Sequence, residues 1–255
     1  MKLYIPEDTA ALAVGADELA VAAAALGAEV VRTSSRGLLW LEPLVEVDTP
    51  EGRFGWGGCG PEDLPAIVAG ERGHAKAIGL VEDHPYLKSQ QRLTFARAGI
   101  TRPLSLEDYE AHGGMAGLRA ARAMAPDAIW QQVLDSGLRG RGGAAFPAGI
   151  KWRTVAQAQS AQKYVVCNAD EGDSGTFADR MVMEGDPFLL IEGMAIAALS
   201  VGASRGYVYV RSEYPRAFKI FGQAIEVARA AGWLQGFDLQ VRMRSEEHTS
   251  ELQSH

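Results

Sequence analysis

The sequence contains only two cysteines, Cys59 and Cys167, in 255 residues. They lie in different regions, so the chain has neither a disulfide framework nor a CxxC metal pair. Two thiols also cannot supply the ligands of an iron–sulfur cluster. The sequence therefore predicts a chain without a metal site of its own.

Basic residues and long apolar runs are scarce as well. Lys and Arg number 25 against 32 Asp and Glu, a net charge of −7, whereas a protein that binds nucleic acid backbones needs the opposite balance. The longest apolar stretch, 188–203, is interrupted by Glu192 and is shorter than the roughly 20 residues of a membrane span. No basic region precedes an apolar run at the N-terminus. We predict a cytoplasmic protein that binds no nucleic acid and does not insert into the membrane.

The first 83 residues alternate strand and helix patterns, which predicts a small α/β domain. An Ala-rich helix begins near Asp8, and Pro61 opens a further short helix. The turn residues 49–52 predict a hairpin. The strand segments are 3–5, 30–33, 38–48 and 53–56.

Residues 84–136 have helical periodicity and predict a helical connector. Its two start signals are a capping box at Ser105 and the Pro126–Asp127 pair. Beyond it, strands at 163–168, 206–210 and 237–241 alternate with helices at 187–201 and 215–231. This alternation predicts a second α/β domain with a largely parallel sheet.

The last twelve residues, 244–255, match the translation of a widely used sequencing-library adapter, codon by codon through Ser254. A natural polar tail is the alternative. We expect the natural sequence to end at Met243 and the tail to have no part in the fold.

A glycine-rich segment follows the connector. Its glycines are Gly137, Gly140, Gly142 and Gly143. They free the backbone to turn several N–H groups toward one point, and Lys151 can add a positive charge there. The pattern predicts a phosphate cradle but neither a dinucleotide fingerprint nor a Walker loop, because a helix precedes it and Lys151 is not in Gly-Lys-Ser/Thr. The alternative is a flexible interdomain loop. Phe146 favours the cradle, since a linker avoids bulky apolar groups and an exposed aromatic ring can stack on a flat ligand.

The predicted strand 163–168 ends in an amide and three carboxylates: Asn168, Asp170, Glu171 and Asp173. Ligands of open α/β sheets bind at the carboxyl ends of strands. Asn168 could bond a ring edge and Asp173 a ribose. The alternative is an ordinary acidic loop.

Together these segments resemble the NADH-binding flavoprotein subunit of respiratory complex I, a module that also occurs in NAD-reducing hydrogenases and NAD-dependent formate dehydrogenases. The resemblance rests on the motif from Gly137 to Trp152 and on Asn168-Ala-Asp-Glu171, and it extends through 185–194 and 206–214. It implies a Rossmann-like FMN-binding domain at 137–243, in truncated form.

The resemblance also implies roles for single residues. Those implied to hold FMN are Gly140, Arg141, Gly142, Gly143 and Lys151, with Asn168 and Asp170 on its isoalloxazine and ribityl side. Phe146 and Asp173 are implied to contact NADH, and Glu171 belongs to the same cofactor-binding set. No residue is implied as a catalytic acid or base, because the flavin supplies the chemistry. Two departures weaken the NADH contacts: the family often has Glu at the position of Asp173 and an aromatic residue at that of Thr154.

The segment 1–83 resembles the thioredoxin-like region fused to this subunit in soluble formate dehydrogenases, here without cluster ligands. We therefore expect a subunit that exchanges hydride between NAD(H) and FMN and works with other subunits of an oxidoreductase, with a formate dehydrogenase favoured over a hydrogenase or complex I. A [4Fe-4S] cluster is expected only in a full-length protein, and the site of this chain is expected to be incomplete. The alternative function is a non-catalytic docking scaffold with a degenerate flavin domain.

Overall fold

The computed structural model describes residues 1–141, 143–173 and 175–244, and the chain forms two compact units. Unit 1 comprises Met1–Asp108 with Glu184–Asp186, and unit 2 comprises Tyr109–Met183 and the chain from Pro187 onward. Gly142 and all of the expected tail after Arg244 lie outside the described residues.

Unit 1 is built on a five-stranded sheet in the order β2-β1-β3-β4-β5. β1 and β2 are parallel, and the other neighbouring strands are antiparallel. The elements are β1 (Lys2–Pro6), α1 (Thr9–Leu12), α2 (Ala16–Ala25), β2 (Glu29–Thr33), β3 (Val45–Thr49), β4 (Gly52–Trp56), α3 (Leu64–Val68), β5 (Ala77–Leu80) and α4 (Pro85–Lys88).

Short polar contacts and apolar packing hold these elements together. Asp8 caps α1, because its Oδ1 accepts from the Ala11 amide at 3.1 Å while its Oδ2 accepts from the Ser35 amide at 2.7 Å. The core packs α2 and α3 against the sheet. Cys59 lies in this core, and burial raises the pKa of its thiol to about 12. The predicted hairpin is confirmed, with Val47 opposite Phe54.

The predicted connector, 84–136, is helical only in part. The division between the units falls within it, inside α5 (Leu106–Ala111). Between α4 and α5 the chain forms turns, so the helical prediction is wrong for 89–105. Gly99 has a φ of +76°, and Pro103 restricts the residue before it, and both features oppose a helix.

Unit 2 continues with helices and a three-stranded parallel sheet in the order β6-β7-β8. Apart from Glu192, α10 is apolar on nearly all sides, and it is largely buried. The elements are α6 (Ala116–Arg122), α7 (Pro126–Asp135), α8 (Ala148–Gln157), β6 (Tyr164–Ala169), α9 (Ala178–Gly185), α10 (Pro187–Val201), β7 (Arg205–Arg211), α11 (Pro215–Ala230) and β8 (Asp238–Arg244).

The two faces of this sheet differ. α10 and α11 pack on the sheet, where Val208, Val210 and Leu239 are fully buried. The opposite face exposes Val166 and Tyr209, whose side chains are 58% and 42% exposed. Parallel sheets are usually covered on both faces. Within residues 1–141, 143–173 and 175–244, no helix combines the length and apolarity that crossing a membrane requires.

The charged residue within α10 has a structural role. The Glu192 carboxylate accepts hydrogen bonds from the Tyr109 hydroxyl at 2.6 Å and from the amides of Met115 and Leu118, both at 2.8 Å. The two amides belong to the start of α6, so Glu192 satisfies donors that a helix N-terminus leaves open.

Candidate functional site

The polar residues predicted at the end of β6 lie where the strand leaves the sheet. Asn168 is exposed and its side-chain oxygen accepts from the Asp170 amide at 3.0 Å. One oxygen of Asp170 lies 3.0 Å from Arg244 Nη1. Asp173 is exposed. Asn168 and Asp173 are therefore accessible to a ligand, whereas Asp170 is partly engaged by Arg244, the first residue of the expected tail.

Glu171 is engaged within the protein. Its carboxylate oxygens accept from the amides of Asp179 and Arg180, at 3.0 and 3.1 Å, at the start of α9. A carboxylate at a helix N-terminus satisfies open donors and interacts favourably with the positive end of the helix dipole. The sequence places Glu171 among the cofactor ligands, and that assignment stays a prediction beside the capping role.

Three residues outside the predicted set surround Glu171. Arg211, the last residue of β7, donates from Nη1 to the Glu171 carbonyl at 2.9 Å. Its guanidinium carbon lies 5.2 Å from the ring centroid of Tyr214, and that of Arg180 lies 5.6 Å from it. Burial, followed by the charge of Glu171, raises the pKa of Tyr214. The segment 211–214 is a polar cluster after a predicted strand, so the rule that singled out Asn168 could have found Arg211.

The glycine-rich segment forms a closed loop before α8. The Gly140 amide donates to the Phe146 carbonyl at 2.9 Å, and Arg139 Nε donates to the Ala145 carbonyl at 2.6 Å. Gly143 has a φ of +84°, a conformation that glycine adopts without strain. The Phe146 ring is 48% exposed. The loop thus presents an aromatic ring, as the sequence predicts.

The loop leads directly into the N-terminus of α8. Pro147 precedes the helix, and among the described side chains none caps it. Lys151 lies exposed in its first turns, and Arg141 is exposed on the loop. An uncapped helix N-terminus beside two cations is a favourable environment for an anion such as a phosphate.

The position of α8 depends on close packing against α7. A Cβ atom on Gly149 would lie 2.4 Å from the Leu134 Cα atom, so only glycine allows the two helices to approach this closely. At the other end, Lys163 Nζ donates to the Ala156 carbonyl at 2.6 Å and joins the end of α8 to the start of β6.

Backbone strain is concentrated in the two loops. In the described ranges, four non-glycine residues have positive φ, and three of them belong to these loops: Ala145 at +48°, Glu171 at +47° and Phe177 at +54°. Such conformations cost on the order of 1–3 kcal/mol each and cluster at functional sites.

Unit 2 combines a glycine-rich loop, an uncapped helix N-terminus and polar residues at the carboxyl end of a parallel strand, features that nucleotide-binding α/β domains use. Residues 133–250 match the family model described as the Nuo51 FMN-binding domain. This segment, 118 of the 255 residues, is therefore similar in sequence to the FMN-binding domain of that family.

Individual relatives show the same similarity. The chain is 45% identical over 163 residues to the NADP-reducing hydrogenase subunit HndC of Solidesulfovibrio fructosivorans, a match that covers 62% of this chain and 33% of that protein. It is 48% identical over 145 residues to an NADH-quinone oxidoreductase subunit of Rhizobium meliloti (strain 1021), a match that covers 54% of this chain and 34% of that protein. The chain thus spans about a third of the length of these curated relatives.

A solved structure is similar across nearly the whole chain. The crystal structure of an NAD+-reducing [NiFe]-hydrogenase in the H2-reduced state matches with a TM-score of 0.50 and 22% identity, over 96% of this chain and 43% of that one. At this identity the likeness concerns the fold alone. It supports the mixed α/β architecture of both units.

Proposed function

We propose that this chain contributes the NADH- and FMN-binding part of a multi-subunit oxidoreductase and takes part in hydride exchange between NAD(H) and FMN. The match of 133–250 to an FMN-binding domain carries the proposal. The accessible residues of the glycine-rich loop and of the β6 end give it chemical content.

The start of α8 fits the phosphate of FMN. The proposed cradle consists of the amides of the loop and of α8, with Lys151 and Arg141 as cations; Gly140, Gly142 and Gly143 allow close approach of the backbone. The assignment of Gly142 to this cradle rests on the sequence alone. The uncapped helix end fits a phosphate better than a neutral group, because the helix dipole favours negative charge there.

The topology favours bringing the two loops to one edge of the sheet. From the Lys163–Ala156 contact, α8 extends back about 12 Å to Ala148 at 1.5 Å per residue. β6 extends about 17 Å from the same junction at 3.3 Å per residue. A helix that returns into the next strand of an α/β sheet runs roughly antiparallel to it. We therefore expect the N-terminus of α8 and the carboxyl end of β6 to face one ligand.

The remaining residues have assignable roles toward the two cofactors. Asn168 and Asp170 would bond the isoalloxazine and ribityl groups, while the exposed Phe146 ring and Asp173 would contact the nicotinamide nucleotide. Bound FMN supplies hydride acceptance and passes electrons on singly. The residues of this chain bind and orient both molecules.

The parent complex and unit 1 belong to the same proposal. The parallel β1–β2 pair around α2, followed by the antiparallel β3–β4 hairpin, favours a thioredoxin-like fold for unit 1. Cys59 would have a packing role there, because its buried thiol stays protonated. A formate dehydrogenase as the parent complex, other subunits as partners and a cytoplasmic location remain predictions from the sequence.

Titration of the chain with FMN and, in parallel, with riboflavin tests the proposal. Flavin fluorescence is quenched on binding. If the loop is a phosphate cradle, half-maximal quenching should occur at an FMN concentration at least about tenfold lower than that of riboflavin, because the two ligands differ in the phosphate alone. NADH added without oxygen should then bleach the flavin absorbance. Equal binding of both flavins would contradict the cradle, and an FMN-loaded chain that NADH does not bleach would contradict the proposed hydride exchange.

A further inference from the structure

Arg211 connects two neighbouring strands beyond the point where their backbone pairing ends. β6 and β7 are paired through Ala169 and Val210. Arg211, the next residue of β7, reaches the Glu171 carbonyl through Nη1 at 2.9 Å. Its side chain is 26% exposed. One side-chain hydrogen bond thus continues the strand ladder into the loop that carries the acidic residues.

The residue that Arg211 holds is strained. Glu171 has a φ of +47°, which a residue with a side chain adopts only when surrounding contacts fix it. Its carboxylate bonds the start of α9 and its carbonyl bonds Arg211. Both polar ends of Glu171 therefore face the protein, and the strained turn orients the residues on either side of it.

An ion pair with Glu213 and the aromatic surroundings fix the Arg211 side chain in turn. Tyr214 is buried, and its ring lies within 5.2 Å of the Arg211 guanidinium carbon and 5.6 Å of that of Arg180. Arg180 also lies 4.4 Å from the Phe177 ring centroid. Guanidinium groups over aromatic faces are favourably placed, so Tyr214 supports both arginines under the loop.

We propose that Arg211 is a positioning residue of the cofactor site: through the Glu171 carbonyl it holds the left-handed turn from which Asp170 and Asp173 are directed toward the ligand. This inference rests on the proposed function. Arg211 itself does not bind the cofactor. It acts on binding through the conformation of residues 169–173.

The test uses the 255-residue chain and a matched control on the same strand. Arg211→Gln removes the charge and shortens the side chain, and Arg211→Met keeps an apolar stem against Tyr214 without any donor. Arg205→Gln removes the same charge from the opposite end of β7, on the same side of the sheet. Arg211→Lys retains one charged donor for the carbonyl. Amide hydrogen exchange of 169–180 and the FMN dissociation constant are measured for each.

In Arg211→Gln and Arg211→Met, we expect the amide hydrogens of Asp179 and Arg180 to exchange faster than in wild type. Both variants should bind FMN about tenfold more weakly, because the charged hydrogen bond to the Glu171 carbonyl is lost. Arg211→Lys should remain within about threefold of wild type, a rescue that loss of fold stability alone would not give. Arg205→Gln should change neither quantity.

Two results would separate the possible failures. Wild-type exchange and FMN affinity in Arg211→Gln or Arg211→Met would overturn the positioning role. A wild-type chain that binds no FMN would instead contradict the proposed function, and the exchange measurement would still decide whether Arg211 holds the loop.

Discussion

Glu42 carries a carboxyl group that folding removes from water. Its Oε2 accepts from the Leu44 amide at 2.9 Å, and its Oε1 is buried without a hydrogen-bond donor among the described residues. Burial, aided by the charges of Asp8 and Glu46, raises the pKa of Glu42 from 4.5 to about 7. The protonated form is therefore the one that the fold stabilises.

This residue predicts a pH dependence of stability. Because the folded-state pKa is the higher one, the favourable contribution is complete below pH 4.5 and is lost as the pH rises to about 7. Over this pH range the ionisation of Glu42 should lower the free energy of unfolding of the wild type by on the order of 3 kcal/mol, and Glu42→Gln should not show this decrease. Urea unfolding of wild type, Glu42→Gln and the exposed-site control Glu18→Gln at pH 4.5 and 7.5 measures it. An equal change in the free energy of unfolding between the two pH values in all three proteins would refute the prediction.

Lys151 is predicted to contribute to flavin affinity through its charge. Lys151→Gln should weaken FMN binding by about tenfold and leave riboflavin binding unchanged, because only FMN carries the phosphate. Arg205→Gln controls for a general effect of net charge. Fluorescence titration with both flavins measures the difference, and a variant that retained wild-type FMN affinity would exclude Lys151 from the cradle.

Asp173 is predicted to act on the nicotinamide nucleotide rather than on the flavin. Asp173→Asn should raise the NADH KM by about fivefold or more, since a neutral amide is a weaker acceptor for ribose hydroxyls, while the bound flavin stays the same. Steady-state dye reduction and the flavin-to-protein ratio of a full-length protein are the two measurements, because the site of this chain is expected to be incomplete. Unchanged NADH kinetics would remove Asp173 from the site.

At the scale of elements, the packing of α7 against α8 is predicted to set the position of the proposed cradle. Gly149→Ala would place a methyl group inside the Leu134 backbone, which should cost about 1–3 kcal/mol and weaken FMN binding at the same time. Gly193→Ala, on α10 with no atom within 4 Å of the added carbon, is the matched control and should be neutral or slightly stabilising. Thermal unfolding that ranked the two variants in the reverse order would contradict this packing.

The elements differ in how well the sequence predicts them. β6, β7, β8, α10 and the hairpin follow from local patterns, because their residues alternate, form one apolar run or carry turn signals. The sequence does not predict α8 and α9, because the glycine-rich and acidic segments that precede them contain no recognisable helix start signal. Glu192 could be placed on a buried helix, but its three donors come from 109–118, a separation that no local pattern contains.

At the scale of the whole molecule, the open face of the β6-β7-β8 sheet is predicted to promote self-association. Large patches of exposed apolar surface favour contact with other molecules. Val166→Thr, at a 58% exposed position on this face, should lower the associated fraction. Val21→Thr, at a 71% exposed position on α2, should not. Light scattering over a concentration series compares the variants, and equal effects would show that this face is not the cause.

The candidate site was predictable in composition more than in arrangement. The residue type alone indicates the possible chemistry of Gly140, Phe146, Lys151 and Asn168. The last three are accessible in the structure. What the sequence could not provide is which of the acidic residues faces inward. That depends on the φ of Glu171 and on Arg211, 40 residues further along the chain.

The two cysteines have a practical consequence. Cys59 belongs to unit 1 and Cys167 to unit 2, and burial raises the pKa of the two thiols to about 12 and about 11. At neutral pH both are protonated, and Cys59 is buried while Cys167 is half-buried, so alkylating reagents that attack thiolates should modify each one mainly when its own unit opens. Mass-spectrometric timing of the two modified peptides would therefore follow the opening of each unit separately in the unaltered chain, without any introduced label.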